Sequence, residues 1–250
     1  MMCMNKRLAF LMTLIIVLVK NSDAMLKVYG GASGAIYIRY DGRVDPQTAL
    51  IWSVDNVTYT FASDINCSIV VQRSNIIIDG NGYALNGPGD GNGIYLYGID
   101  NVTIKRTRIQ GFNFNGIDLR ETSDNKICEN IITTNNGSGI HLDYCLDTTI
   151  VRNVITTSEG NGINLRWCNY NIISENNITN NYYGLYLDEA HRNTISGNII
   201  AGSKSDGIHI YWSSGNDITQ NIIEKSRDHG IYLCESPNPK MIPDPKIVGN

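Results

Sequence analysis

The chain has 250 residues and a net charge of −4, so it lacks the basic surplus with which a protein displaces counterions from nucleic acid; that partner is excluded. Charged residues reach only 18%, against ~25% in ordinary domains, while 24 Gly and 30 Asn fill the difference. Gly and Asn favour turns, and together with abundant Ile they indicate an all-β protein of many short strands, one sizeable domain or two small ones.

Lys6 and Arg7 precede an apolar run over residues 8–19, broken only by Thr13. Twelve residues are short for a transmembrane helix and suit the core of a secretory signal. Ser22 and Ala24 place small residues before a cut, so residues 1–24 are expected to be a signal peptide, with the mature chain starting near Met25. The alternative is an uncleaved anchor. After cleavage no membrane association is expected, and the protein is placed in the extracellular space or periplasm. Five Asn-x-Ser/Thr triplets begin at Asn56, Asn66, Asn101, Asn136 and Asn177.

Residues 25–65 do not follow the later beat. Ile36 and Ile38, and the alternating residues 57–61, read as strands of an N-terminal β cap over an open stack end. Residues 75–82 form an early coil, followed by a protruding loop at Pro88 to Gly91. From there a Gly followed by Ile or Leu recurs at Gly93, Gly116, Gly139, Gly162, Gly184, Gly207 and Gly230, at steps of 23, 23, 23, 22, 23 and 23 residues. Two further columns keep that beat, one from Ile104 to Ile218 and one from Ile109 to Ile223. Asn130, Asn153, Asn176, Asn198 and Asn221 form an uninterrupted Asn column. Asn125, Asn171, Asn193 and Asn216 form another, in which Thr148 replaces Asn once.

Each repeat is therefore three short strands with alternating apolar and polar residues. Such strands bury nothing alone, but stacked coils pair each strand with its copy ~4.8 Å away. The architecture is a right-handed parallel β-helix of about 23-residue coils over residues 66–250, with Ile columns as its core and Asn columns as structural amide ladders. Leucine-rich repeats want one strand and a helical return, and propellers need longer repeats. At the C-terminus, residues 247–250 repeat the pattern of 218–221 after an insertion holding Pro237, Pro239, Pro243 and Pro245. That reads as a stack truncated in mid-coil, or one whose uncapped end is covered by a protein partner.

The segment Asn75, Ile76, Ile77, Ile78, Asp79, Gly80, Asn81, Gly82, Tyr83, Ala84 and Leu85, followed by the Gly-Ile-x-Leu and Asn-x-Ile units, resembles the NosD-type (CASH-domain) right-handed β-helix proteins. The resemblance covers roughly residues 30–250. It implies the fold and leaves several functions open. Some members help mature copper sites in nitrous oxide reductase, others resemble polysaccharide lyases, hydrolases or epimerases, and many are surface proteins.

Chemistry on such a stack belongs to outward positions. The variable residue after each Gly-Ile gives Tyr95, Asp118, His141, Asn164, Tyr186, His209 and Tyr232. Glu121, Tyr144, Trp167, Glu189, Trp212 and Glu235 read as the next outward column. Arg120, Asp143, Arg166 and Asp188 lie between, their facing set by where the strand ends. Aromatic rings there can stack on sugars. Arg120, Arg166, Trp167, Tyr186, Asp188, His209 and Trp212 are the candidate ligand-binding residues, unless the stripe only stabilises an exposed sheet. Asp118, His141 and Asp143 sit on neighbouring coils and are the candidate catalytic residues. One would act as base with Arg120 or Arg166 as charge neutraliser in β-elimination on an acidic sugar, or Asp118 and Asp143 would form a hydrolytic pair.

No metal-ligand set stands out: His141 and His209 share a column three coils apart, and His209 and His229 lie on adjacent coils in different columns. The residues single out no cofactor. Cys145 and Cys168 stack 23 residues apart, as a disulfide or as two buried thiols. The expected function is binding, with or without processing, of a polysaccharide or surface glycan by a lyase- or hydrolase-like stack. The alternatives are a NosD-like accessory role in copper-enzyme maturation, or a structural adhesion repeat.

Overall fold

The computed structural model describes residues 34–89 and 91–236, and the backbone of Lys246–Val248. The expected signal peptide, Met25, Asp90 of the early loop and the four prolines from Pro237 to Pro245 lie outside the described residues. Among the described residues there is no helix. Three sheets of ten, nine and eight strands run the length of a parallel β-solenoid of about eight coils.

Sheet A carries the Gly-Ile-x-Leu strands, from Ile94–Tyr97 through Ile117–Arg120, Ile140–Asp143, Ile163–Arg166, Leu185–Asp188 and Ile208–Tyr211 to Ile231–Cys234. Sheets B and C carry the other two Ile columns. The registers keep the 23-residue beat: Ile117 pairs with Ile140, Ile140 with Ile163, and Ile163 with Leu185 across the 22-residue step. Because side chains alternate across a strand, fixing that register puts every column inward or outward as a unit. Ile127, Ile150, Ile173, Ile195 and Ile218 are fully buried, as are Ile132, Ile155, Ile178, Ile200 and Ile223.

The Gly column has a steric cause. A Cβ on Gly162 would stand 2.4 Å from Ile178 Cγ2 and 2.6 Å from the Gly184 carbonyl oxygen of the next coil. Glycine is needed there for close approach of backbones.

The Asn columns are the expected ladders. Asn130 Nδ2 donates to Asn153 Oδ1 at 3.0 Å, Asn153 to Asn176 at 3.0 Å, Asn176 to Asn198 at 3.0 Å and Asn198 to Asn221 at 2.9 Å. Each Oδ1 also accepts a backbone N–H from the coil before, so the buried amides of this ladder are satisfied. The backbone kink falls one residue earlier. Glu129, Arg152, Glu175 and Gln220 carry the left-handed φ of 55–59°, leaving the Asn side chains free to point inward. In the second ladder Thr148 offers no amide oxygen, and Asn125 Nδ2 is left buried without a partner among the described residues.

At the N-terminal edge Ile36–Ile38 and Thr58–Phe61 already pair in parallel with Ile69–Val71 and Ile76–Asp79. The two-residue strands Val44–Asp45 and Ile51–Trp52 pair antiparallel to them and leave only a short open edge. Cys145 and Cys168 stack as fully buried free thiols, with Cys145 N–H donating to Cys168 Sγ at 3.2 Å.

Candidate functional site

The outer face of sheet A carries nearly all the candidate residues. Its strands run one residue further than the spacing suggests, so Arg120, Asp143, Arg166 and Asp188 pair in register as the second outward column. Glu121, Tyr144, Trp167, Glu189, Trp212 and Glu235 follow in the turn, at φ of 43–54°. They form a rim along one edge of the face.

In the earliest coils the first outward column is covered. Tyr95 is 3% exposed and Asp118 0%. Both Asp118 oxygens accept hydrogen bonds from Arg120, Nε at 3.0 Å and Nη2 at 3.1 Å, and Asn115 Nδ2 adds a third at 3.2 Å. His141 stands beside Asp118 in register, and burial holds its imidazole below the usual histidine range, against the pull of Asp118. Asp143 lies between Arg120 and Arg166, its Oδ1 buried without a hydrogen-bond donor among the described residues. The structure thus brings Asp118, Arg120, His141 and Asp143 together. It leaves Asp118 closed to solvent, with both its oxygens accepting from the Arg120 guanidinium.

In the later coils the same face is open. Asp206, His209, Arg227, Asp228, His229 and Tyr232 line a hollow of about 600 Å³. Asp206 is its floor, 4% exposed. Its Oδ2 accepts from His209 Nδ1 at 2.8 Å, and its Oδ1 accepts from His229 Nδ1 at 2.8 Å and from the His229 backbone N–H at 3.0 Å. A carboxylate at these distances only accepts, so both imidazoles carry their proton on Nδ1. Rings continue the wall: His209 lies 5.2 Å from Tyr186, 4.8 Å from Tyr183 and 5.0 Å from Tyr232, and His229 lies 5.1 Å from Tyr232. Burial pushes the Tyr183 and Tyr186 hydroxyls up, keeping them neutral donors.

Of this hollow and its wall the sequence reading had Tyr186, His209 and Tyr232 as outward residues, with Asp188 on the adjoining column. It placed His229 one coil from His209 in a different column, without the shared contact to Asp206, and did not single out Asp206. A signal existed: the residue before each repeated Gly is Asn92, Asn115, Ser138 and Asn161, then Tyr183, Asp206 and His229. The change from small amides and hydroxyls to a ring, an acid and an imidazole marks the coils where the face opens.

On the turn rim Trp167 stacks on Tyr144 at 4.6 Å, with the Arg166 guanidinium 3.8 Å from the Trp167 ring centroid. Trp212 stacks on Tyr211 at 5.3 Å, and its indole N–H donates to Glu235. Two coil steps of ~4.8 Å separate the two Trp, so they sit roughly 10 Å apart along the stack. Asp188 is half-buried. Burial raises its carboxyl, and Arg166, 3.9 Å away, opposes that. Among the described residues no three His, Cys, Asp or Glu side chains assemble into a set able to hold a metal ion.

A family model described as periplasmic copper-binding protein (NosD) matches residues 31–158 and again 74–250. No curated protein matches the chain. Among solved structures, the periplasmic alginate epimerase AlgG is similar in fold, 19% identical over 74% of this chain and 52% of that one, with a TM-score of 0.56. A double mutant of the same epimerase aligns at 21% identity over 66% of this chain and 38% of that one, TM-score 0.55. The enzymatically active domain of tailspike protein 2 of bacteriophage CBA120 aligns at 14% identity over 71% of this chain and 33% of that one, TM-score 0.62. The chain spans between a third and about half of the length of these proteins. At such identities the likeness is one of fold.

Proposed function

The chain belongs to the NosD family, and from that premise we propose that it is an exported β-solenoid that binds an extended glycan along the outer face of sheet A. One observation carries the reading: the contiguous wall of Tyr183, Tyr186, His209, Tyr232 and His229 rings beside the Asp206 floor. Flat rings offer apolar faces to the C–H side of a sugar, while the polar groups at their edges take its hydroxyls. Stacked coils repeat those rings at ~4.8 Å, close to the rise of a sugar chain lying along the stack. The Tyr144, Trp167 and Trp212 rim extends the same surface along its edge.

The copper of the family description finds no fitting ligand set among the described residues. His209 and His229 turn their Nδ1 atoms to Asp206, and all six methionines lie outside the described residues.

The test is binding of the purified chain to an array of neutral and acidic polysaccharides, with Tyr186→Ala, Tyr232→Ala, Trp167→Ala and Trp212→Ala. Loss of one stacked ring should weaken selective binding about tenfold. A folded chain that binds no glycan would overturn the reading in favour of a structural or partner-docking role.

A further inference from the structure

We infer that the hollow is also a proton-transfer site, with His209 as base, acting on a polysaccharide whose sugars bear carboxylates. This rests on the glycan-binding reading and adds a reaction to it. Asp206 holds His209 by its Nδ1–H, which fixes the tautomer and leaves the Nε2 lone pair as the basic atom. No protein partner occupies Nε2 of His209 or of His229 among the described residues. The carboxylate stabilises the imidazolium that forms when Nε2 takes a proton, as a buried acid does for a catalytic histidine. The second imidazole on the same carboxylate can carry a proton and give it up, so the pair supplies a base and an acid.

The groups present select the substrate. Glycoside hydrolysis uses two available carboxyl groups flanking the bond. Here Asp206 is saturated by three N–H donors, and Asp228 accepts from the Ser205 hydroxyl at 2.7 Å. Among the described residues, both carboxylates that line the hollow already accept hydrogen bonds. A histidine base suits instead a carbon-bound proton next to a carboxylate, and the Arg227 side chain on the wall is a cation for that carboxylate. In the step, His209 Nε2 takes the proton from the carboxylate-bearing ring carbon, C5. The C5–H electron pair becomes a C4=C5 double bond, and the C4–O4 bond breaks with its pair on oxygen. Protonated His229 gives its proton to that oxygen. His209 ends protonated and His229 neutral, and exchange with solvent resets both.

The experiment incubates the full chain with soluble polyuronates of different configuration and follows the ultraviolet absorbance of the unsaturated sugar end. Absorbance should grow with at least one polymer that binds. At saturating polymer His209→Gln should slow it on the order of a hundredfold or more, beyond the about tenfold weaker binding that loss of a wall ring brings. Asp206→Asn, a positioning change, should retain part of the rate and shift its pH profile. Binding of a polyuronate without any unsaturated product, or a product rate that His209→Gln leaves unchanged, overturns the inference. Binding of neutral glycans alone overturns it and leaves the glycan-binding reading standing. Binding of no glycan at all overturns both.

Discussion

Two coils of sheet A use the same pair of positions in opposite senses. In the coil of Gly116, Asn115 donates to Asp118 three residues on, and Arg120 takes both oxygens of that acid. In the coil of Gly207 the acid comes first: Asp206 accepts from His209 three residues on, and from His229 one coil later. The first acid faces a cation that never titrates and a neighbouring face closed by Tyr95, so it is a charge pair sealed into the wall. The second faces two imidazoles, each held by its Nδ1, that open onto a hollow. The position in the repeat is the same, and the partner's chemistry decides whether the acid braces the wall or serves a site.

The contrast predicts unequal penalties. Asp118→Asn should show the largest effect, a loss of about 3 kcal/mol in urea unfolding, because it removes the buried carboxylate to which both Nε and Nη2 of the half-buried Arg120 donate. Asp206→Asn should cost only about 1 kcal/mol, since an imidazole can move its proton to Nε2 and accept from the new amide. Equal losses would erase the distinction between the two coils. Thr148→Asn should act in the opposite direction and gain about 1 kcal/mol by giving Asn125 Nδ2 its missing acceptor. A gain there, close to the sealed coils but away from their ion pair, would show that ladder stability and surface charge are separable.

The smallest effect is a pH slope from His141. Its folded-state pKa is depressed by burial, so its contribution is complete above the unfolded value near 6.5 and is lost as the pH falls below it. His141→Gln should flatten that part of the stability curve between pH 7 and 5. A wild-type curve already flat there would mean that the ring is solvated.

Much of the fold could be read without coordinates, and the particular residues show why. The Gly beat, the Ile columns and the Asn ladder from Asn130 to Asn221 all repeat at one spacing, and a single spacing leaves one register for stacked coils. The ladder's break at Thr148 was equally visible, and its consequence for Asn125 follows from the donor count. The candidate site was read only in part. Alternation assigned Tyr95 and Asp118 to the outer face, where they do lie, but not to the water they were expected to meet. The aromatic rim was read as the next outward column, whereas it sits in a left-handed turn that charged and aromatic residues seldom adopt.

What the sequence alone determined is the direction of the Ile and Asn columns and of the first outward column, because the pleat and the repeat length settle inward and outward for each repeated position at once. What only the tertiary structure decided is which outward side chains are covered and which meet. Asp206 and His229 are 23 residues apart in sequence and in contact through one coil step. Covering Asp118 and exposing His209 depend on the neighbours that the coils above and below lay over each position, and periodicity does not encode the size or charge of those neighbours.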